Sequence, residues 1–289
     1  MVKSSCILIF CLSITSYSQI QLGEALYGEA AEDEFGVSIS LSDNGSIMAV
    51  SAIYNDGNGT DSGQVRIFQN TGGIWNQIGQ DIYGEHAGDA SGMSVSLNGD
   101  GSIVAIGARW NDGNGNDSGH VRVYQNNNNT WAQIGQDIDG ESENDHSGIS
   151  VSLSADGSML AIGAWLNGGN GFHAGHVRVF GNNAGIWSQI GDDIDGQTTR
   201  DICGRTVVLN AAGNILAIGS SGSTANTDGN GEVRVFQNIG SSWTQIGQKI
   251  VGDATIDDFG YAIKLSSDGN IIAIGAQAND GNGTASGQV

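Results

Sequence analysis

Tryptophans recurring every 56 residues, two glycine series in the same register, and short alternating apolar runs joined by Gly- and Asn-rich turns together predict an all-β fold. The fold class they specify is a β-propeller of four-stranded antiparallel blades, about five in number, with an incomplete set left open. Trp75, Trp131, Trp187 and Trp243 mark the period. Gly45, Gly101, Gly157, Gly213 and Gly269 keep the same phase, as do Gly36, Gly92, Gly148, Gly204 and Gly260. No insertion interrupts the register, so the units share one structure.

Each unit carries four strand signals in order. The first alternates, as in Val37–Leu41 (VSISL), and ends in a tight turn such as Asp156-Gly157. A more continuous apolar run follows, as in Ser102–Ala108 (SIVAIGA), and then a Gly/Asn-rich loop. The third strand reads Gln64–Phe68 (QVRIF), and the fourth starts at the Trp and runs WxQIGxDI. No stretch of eleven or more residues shows a helical period. A single 56-residue sheet buries too little surface to stand alone, so the units must stack on one another.

Residues 1–18 read as a signal peptide. Lys3 supplies the positive start, Cys6–Ile14 an apolar stretch too short to span a bilayer, and Ser16-Tyr17-Ser18 the cleavage signal before Gln19. Neither Cys6 nor Cys11 lies in a lipoprotein motif, so Cys203 is the one cysteine of the mature chain and no internal disulfide is expected. Residues 19–289 then form one repeat domain, with units at about 28–83, 84–139, 140–195, 196–251 and a partial 252–289. Gln19–Gly28 falls in phase with the fourth strand and could close the fifth blade as a clasp. The domain is nine residues short of five full units, which reads as truncation of a longer chain.

Composition narrows the partners. The chain of 289 residues has 47 Gly, no Pro, ten Lys plus Arg against 31 Asp plus Glu, and a formal net charge of −21. Such acidity argues against nucleic acid, which needs clustered Lys and Arg, and against anionic membranes. It suits a secreted or cell-surface protein, a monomer or a section of a longer chain, and leaves cation binding open.

Phe35-Gly36 and Phe259-Gly260, with Gly107-Ala108, Gly163-Ala164 and Gly275-Ala276, resemble the FG and GA elements of the FG-GAP repeat family. That family forms the blades of integrin-alpha-like propellers and of many secreted bacterial repeat proteins. The resemblance implies adhesion or ligand binding, with catalysis rare. Two departures stand out. The family's Pro is replaced by Ile53, Arg109, Trp165, Ser221 and Gln277, and the integrin calcium loop is reduced to a turn such as Ser42-Asp43-Asn44-Gly45. The family's calcium site therefore does not carry over.

The candidate chemistry is sparse. The loop Asn55–Asp61, recurring as Asn111–Asp117 and in part as Asn279–Thr284, offers oxygens at alternate positions that could bind calcium. Its Asn58, Asn114, Asn170, Asn226 and Asn282 persist where the acids are lost, which favours a left-handed or Asx turn instead. Asp33, Asp89, Asp145, Asp201 and Asp257 are expected to cap loop N–H groups. Arg66, Arg122, Arg178 and Arg234 are expected to stack on the tryptophans across the third hairpin. His173 and His176 have no acid at local ligand spacing, so no metal site and no cofactor are expected, calcium being the alternative. No nucleophile elbow, phosphate loop or CxxC motif occurs, so no enzyme is expected.

Two readings stay open: a binding or adhesion module for extracellular protein or carbohydrate, and a scaffold without a ligand. For the first, Tyr54, Trp110 and Trp165 are the candidate ligand-binding residues. They lie just before the Asn/Gly loop, and equivalent strand ends of successive blades face one side of a propeller. The competing expectation is that each ring packs into the next blade.

Overall fold

The computed structural model describes residues 21–222, 230–254 and 257–289. The signal-peptide assignment and Asn226 lie outside them. Among the described residues every regular element is a strand. The first sheet holds β1 (Phe35–Leu41), β2 (Ile47–Ala52), β3 (Gln64–Thr71), β4 (Ile74–Gln77) and β5 (Ile82–Tyr83). The second holds β6 (Ser94–Leu97), β7 (Ile103–Ala108), β8 (His120–Asn126), β9 (Trp131–Gln133) and β10 (Ile138–Asp139). The third holds β11 (Ser147–Leu153), β12 (Met159–Ala164), β13 (His176–Asn183), β14 (Ile186–Gln189) and β15 (Ile194–Asp195). The fourth holds β16 (Cys203–Leu209), β17 (Ile215–Ser220), β18 (Glu232–Ile239), β19 (Ser242–Gln245) and β20 (Ile250–Val251). The fifth holds β21 (Phe259–Leu265) and β22 (Ile272–Ala276).

All pairings between these strands are antiparallel, in the order first, second, third, fourth. The WxQIGxDI stretch is a fourth strand broken in two, because β4 and β5 both pair with β3. The break is at Gly79, whose φ of 76° suits glycine, and a Cβ there would lie 2.6 Å from Cδ1 of Trp131 in the next blade. The Trp131 indole donates to the carbonyl of Ile78 at 3.0 Å, and Gln80 Nε2 donates to the Trp131 carbonyl at 2.7 Å. The repeated Trp is thus a bolt between blades.

The core lies in the seams. Val95 and Leu97 of β6 pack with Ile47 and Ala49 of β2 and with Val65 and Ile67 of β3, and the arrangement recurs at the next seams. The strands β1, β6, β11, β16 and β21 stand side by side around a channel of about 390 Å³ lined by Ile39, Val95, Val151, Val207 and Lys264 among others. At one end a chain of backbone hydrogen bonds runs from turn to turn: Asp43 N to Gly99 O, Gly99 N to Ala155 O, Ala155 N to Ala211 O, and Ala211 N to Ser267 O, at 2.8–3.0 Å. Serine hydroxyls of one first strand accept from amides of the next, as Ser38 does from Val95 and Ser40 from Leu97.

The paired glycine motifs find their reason at these seams. A Cβ on Gly107 would lie 2.1 Å from the Gly148 carbonyl, and one on Gly163 2.0 Å from that of Gly204. The glycine of GA in one blade thus touches the glycine of FG in the next, and any side chain would push the backbones apart.

The N-terminal segment, from residue 21 on, forms no strand and lies against the first blade. Trp75 Nε1 donates to Leu22 O at 3.1 Å, and Arg66 Nη2 to Tyr27 O at 2.6 Å. The second and third blades make both contacts to the strand preceding them, as Trp131 does to Ile78 O and Arg122 to Tyr83 O, and the fourth keeps the arginine contact, so the segment occupies a preceding blade's place. The expectation that the third-strand arginines stack on the tryptophans needs correction. Trp75 pairs with Asn70, four residues along β3 from Arg66. Each guanidinium instead donates to the preceding blade and lies over the ring two residues on, Phe68, Tyr124, Phe180 or Phe236, at 5.3–5.6 Å.

Candidate functional site

Tyr54, Trp110 and Trp165 all sit in the turn leaving the second strand, where the chain leaves the buried β2, β7 and β12. All three are half-buried, neither packed away in the neighbouring blade nor free in solvent. The Tyr54 and Trp110 rings are stacked, 6.5 Å apart and 23° from parallel. Trp165 stands one position earlier in its unit than Trp110 and does not join that stack. Its indole N–H donates to His146 Nδ1 at 3.3 Å, and burial holds the His146 imidazole below its ordinary range, so Nδ1 is free to accept.

Two arginines bridge the gap. The Arg109 guanidinium lies 4.3 Å over the Trp110 ring, and that of Arg205 lies 4.6 Å over Trp165 and 5.0 Å over Tyr261. Burial first, and then the Arg205 charge, hold Arg109 below its usual value. Tyr54, Trp110, Arg109, Arg205, Trp165 and Tyr261 therefore make a row with members from all five units. Sequence reasoning named the three rings before the loop and missed Arg109, Arg205 and Tyr261. Arg109 was visible as a substitute for the family's Pro, and Arg205 as a charge in phase with Val37, Met93 and Ile149.

The neighbouring loops are built on themselves. Asp33 Oδ2 accepts from Ala30 N at 3.0 Å, and Asp89, Asp145, Asp201 and Asp257 cap the equivalent loops. The same oxygen accepts from Asn55 Nδ2 at 3.0 Å, a pair repeated as Asp89–Asn111, Asp145–Asn167 and Asp257–Asn279. Asn55 Oδ1 closes an Asx turn on Gly57 N at 2.9 Å, and Asp56 Oδ1 accepts from Asp61 N at 2.9 Å. Asn58 is neither left-handed nor the Asx residue. Its amide donates to the carbonyls of Gly84 and Glu85 at 2.8 and 2.9 Å, which ties the loop to the next unit.

The histidines differ from their local reading. His120 and His176 head their third strands, buried, and meet acids brought from far along the chain: Glu85 and Asp137 for the first, Glu141 and Asp193 for the second. Burial, and then the Arg122 charge, push His120 down to about 4, so its ring is neutral at neutral pH. Among the described residues, these two groups could hold a metal.

No curated protein sequence matches the chain. Solved structures do match its shape. The periplasmic gluconolactonase of Pseudomonas aeruginosa aligns with a TM-score of 0.53 and 17% identity over 82% of this chain and 64% of its own. The hydrazine synthase of Kuenenia stuttgartiensis aligns with a TM-score of 0.53 and 11% identity over 83% of this chain and 61% of its own. The chain thus spans less than two thirds of either, and at such identity the likeness is one of fold, the β-propeller. The FG-GAP repeat model matches residues 28–68 and 84–124. These two units match the FG-GAP repeat, and the close glycine approach at the seams, Gly107 to Gly148, Gly163 to Gly204 and Gly219 to Gly260, is similar from one blade to the next.

Proposed function

We propose that the chain is a secreted, non-catalytic binding propeller that takes carbohydrate along the row from Tyr54 to Tyr261. The observation that carries this reading is the row itself. Half-buried indoles and phenols offer flat apolar faces that stack on sugar rings at little entropic cost. Arg109 and Arg205 put positive charge there on a chain with only ten Lys plus Arg, which favours a sugar bearing carboxylate or sulfate. The alternative, a spacer without a ligand, draws support from the near-identical seams. Electrophoresis through gels containing an acidic polysaccharide separates the two. The wild type is expected to be retarded, and Trp110→Ala to lose retardation while its Tm stays within a few degrees. Equal mobility with and without polysaccharide would favour the spacer. A loss of about 3–5 kcal/mol in Trp110→Ala would make the ring a packing element instead.

A further inference from the structure

We infer that the seams before the second and third blades each hold a divalent transition-metal site of the zinc class, formed by Glu85, His120 and Asp137 and by Glu141, His176 and Asp193. Each set offers one imidazole nitrogen and two carboxylate oxygens within 4.8 Å of one another. The glutamate comes from the connection between blades, the histidine from the start of the third strand, and the aspartate from the break in the fourth.

The histidines point to the ligand independently of the acids. Both rings are 1% exposed, and the nitrogen each turns to the carboxylates is Nδ1. Nδ1 of His120 faces Glu85 Oε2 at 3.8 Å, and Nδ1 of His176 faces Glu141 Oε2 at 3.9 Å and Asp193 Oδ2 at 3.8 Å. These separations are too long for hydrogen bonds, and burying an imidazole so poorly matched is costly. They are close to what a cation requires: ligands about 2.0–2.1 Å from a tetrahedral centre stand roughly 3.3 Å apart. The remaining carboxylate oxygens are already anchored. Gln133 Nε2 donates to Asp137 Oδ1 at 2.6 Å and Gln189 Nε2 to Asp193 Oδ1 at 2.7 Å, while Arg122 and Arg178 hold Oε1 of Glu85 and Glu141 at 3.5 and 3.7 Å.

The flanking blades show how the same locus is filled when the histidine is replaced. In the first blade Gln64 replaces it, and its amide donates to Glu29 at 3.0 Å. In the fourth, the equivalents are Gln197, Glu232 and Lys249, and the Lys249 ammonium lies 2.6 Å from Glu232 and 3.4 Å from Gln197 Oε1. A donor or a cation of the protein's own occupies the position there. The two histidine blades have two carboxylates and a neutral ring instead, which is a ligand set. An imidazole ligand selects a zinc-class ion over calcium, which takes oxygen ligands. Glu85 and Glu141, at 34% and 43% exposure, leave a path for the ion and a place for water as fourth ligand.

Zn²⁺ titrated calorimetrically into the full chain at pH 7.5 tests this, with Co²⁺ absorption as a report on the ligand field. The wild type is expected to bind two ions, His120→Gln one, and His120→Gln/His176→Gln none, and the intense visible bands of tetrahedral Co²⁺ should fall in step. Asp137→Lys, which copies the fourth blade, should also remove one site; circular dichroism and Tm without metal confirm that each variant folds. No Zn²⁺ binding to the wild type at about 1 mM, or stoichiometry unchanged in the folded double variant, overturns the assignment; the second outcome marks binding to surface carboxylates.

Discussion

Asp145 shows how much one side chain carries in a chain without proline. Its buried carboxylate accepts from Ser142 N at 2.9 Å and from Asn167 Nδ2 at 3.0 Å, and Asn167 Oδ1 in turn receives Gly169 N at 2.8 Å. One carboxylate thus orders the loop entering the first strand and the loop leaving the second. Removing it strands the buried Asn167 amide and frees the Ser142 N–H. Asp145→Ala is expected to cost about 2–4 kcal/mol in urea unfolding, whereas an exposed carboxylate such as Asp192 should tolerate Ala within about 0.5 kcal/mol. Cys203 carries weight in a different way. It is fully buried, burial pushes its thiol up, and it takes the place that Phe35 and Phe259 fill in other units.

The loop after the second strand is stiffened by its own polar groups. Asn55 and Asp56 direct Oδ1 to backbone N–H groups, and Asn58 uses its amide to donate to carbonyls of the next unit. Oxygens held by N–H donors do not turn to an ion without losing those bonds. Addition of 5 mM Ca²⁺ to the metal-free chain is therefore expected to move Tm by less than about 1 °C, because a ligand far below its Kd contributes almost nothing through RT ln(1 + [L]/Kd). A calcium-dependent rise of several degrees would contradict the geometry. The broken fourth strand is an element of a similar kind: Gly79 gives up ladder continuity, and the gap receives Trp131 from the next blade.

At the scale of the molecule, the blades cover each other in sequence and leave the first one bare. Ile39, Val95, Val151 and Val207 share one phase, yet Ile39 is 57% exposed while Val151 is 9% exposed. Each later residue packs against the blade before it; Ile39 faces the position where a preceding sheet would lie. In the 289-residue chain, Val151→Ser is expected to cost about 2–3 kcal/mol through lost burial and an added hydroxyl, and Ile39→Ser less than about 0.5 kcal/mol. Paired urea titrations of the two variants check this, and equal costs would show that the first blade is covered in solution.

The repeat, the strand order within a unit and the propeller itself were legible because all rest on local period: Trp at 56, alternation in the first strand, Asn/Asp-Gly at the turn. The capping role of the Asp series was legible for the same reason, since a carboxylate three residues from its N–H partner needs no tertiary information. The partners of a side chain that reaches across a seam were not. The arginines donate to a carbonyl 39 residues earlier, the Trp indoles to one 53 residues earlier, and His176 meets acids 35 residues before and 17 after it. Spacing along the chain says nothing of these meetings. They depend on how one sheet is set against the next, which the buried apolar faces and the touching glycines decide only once the blades have stacked.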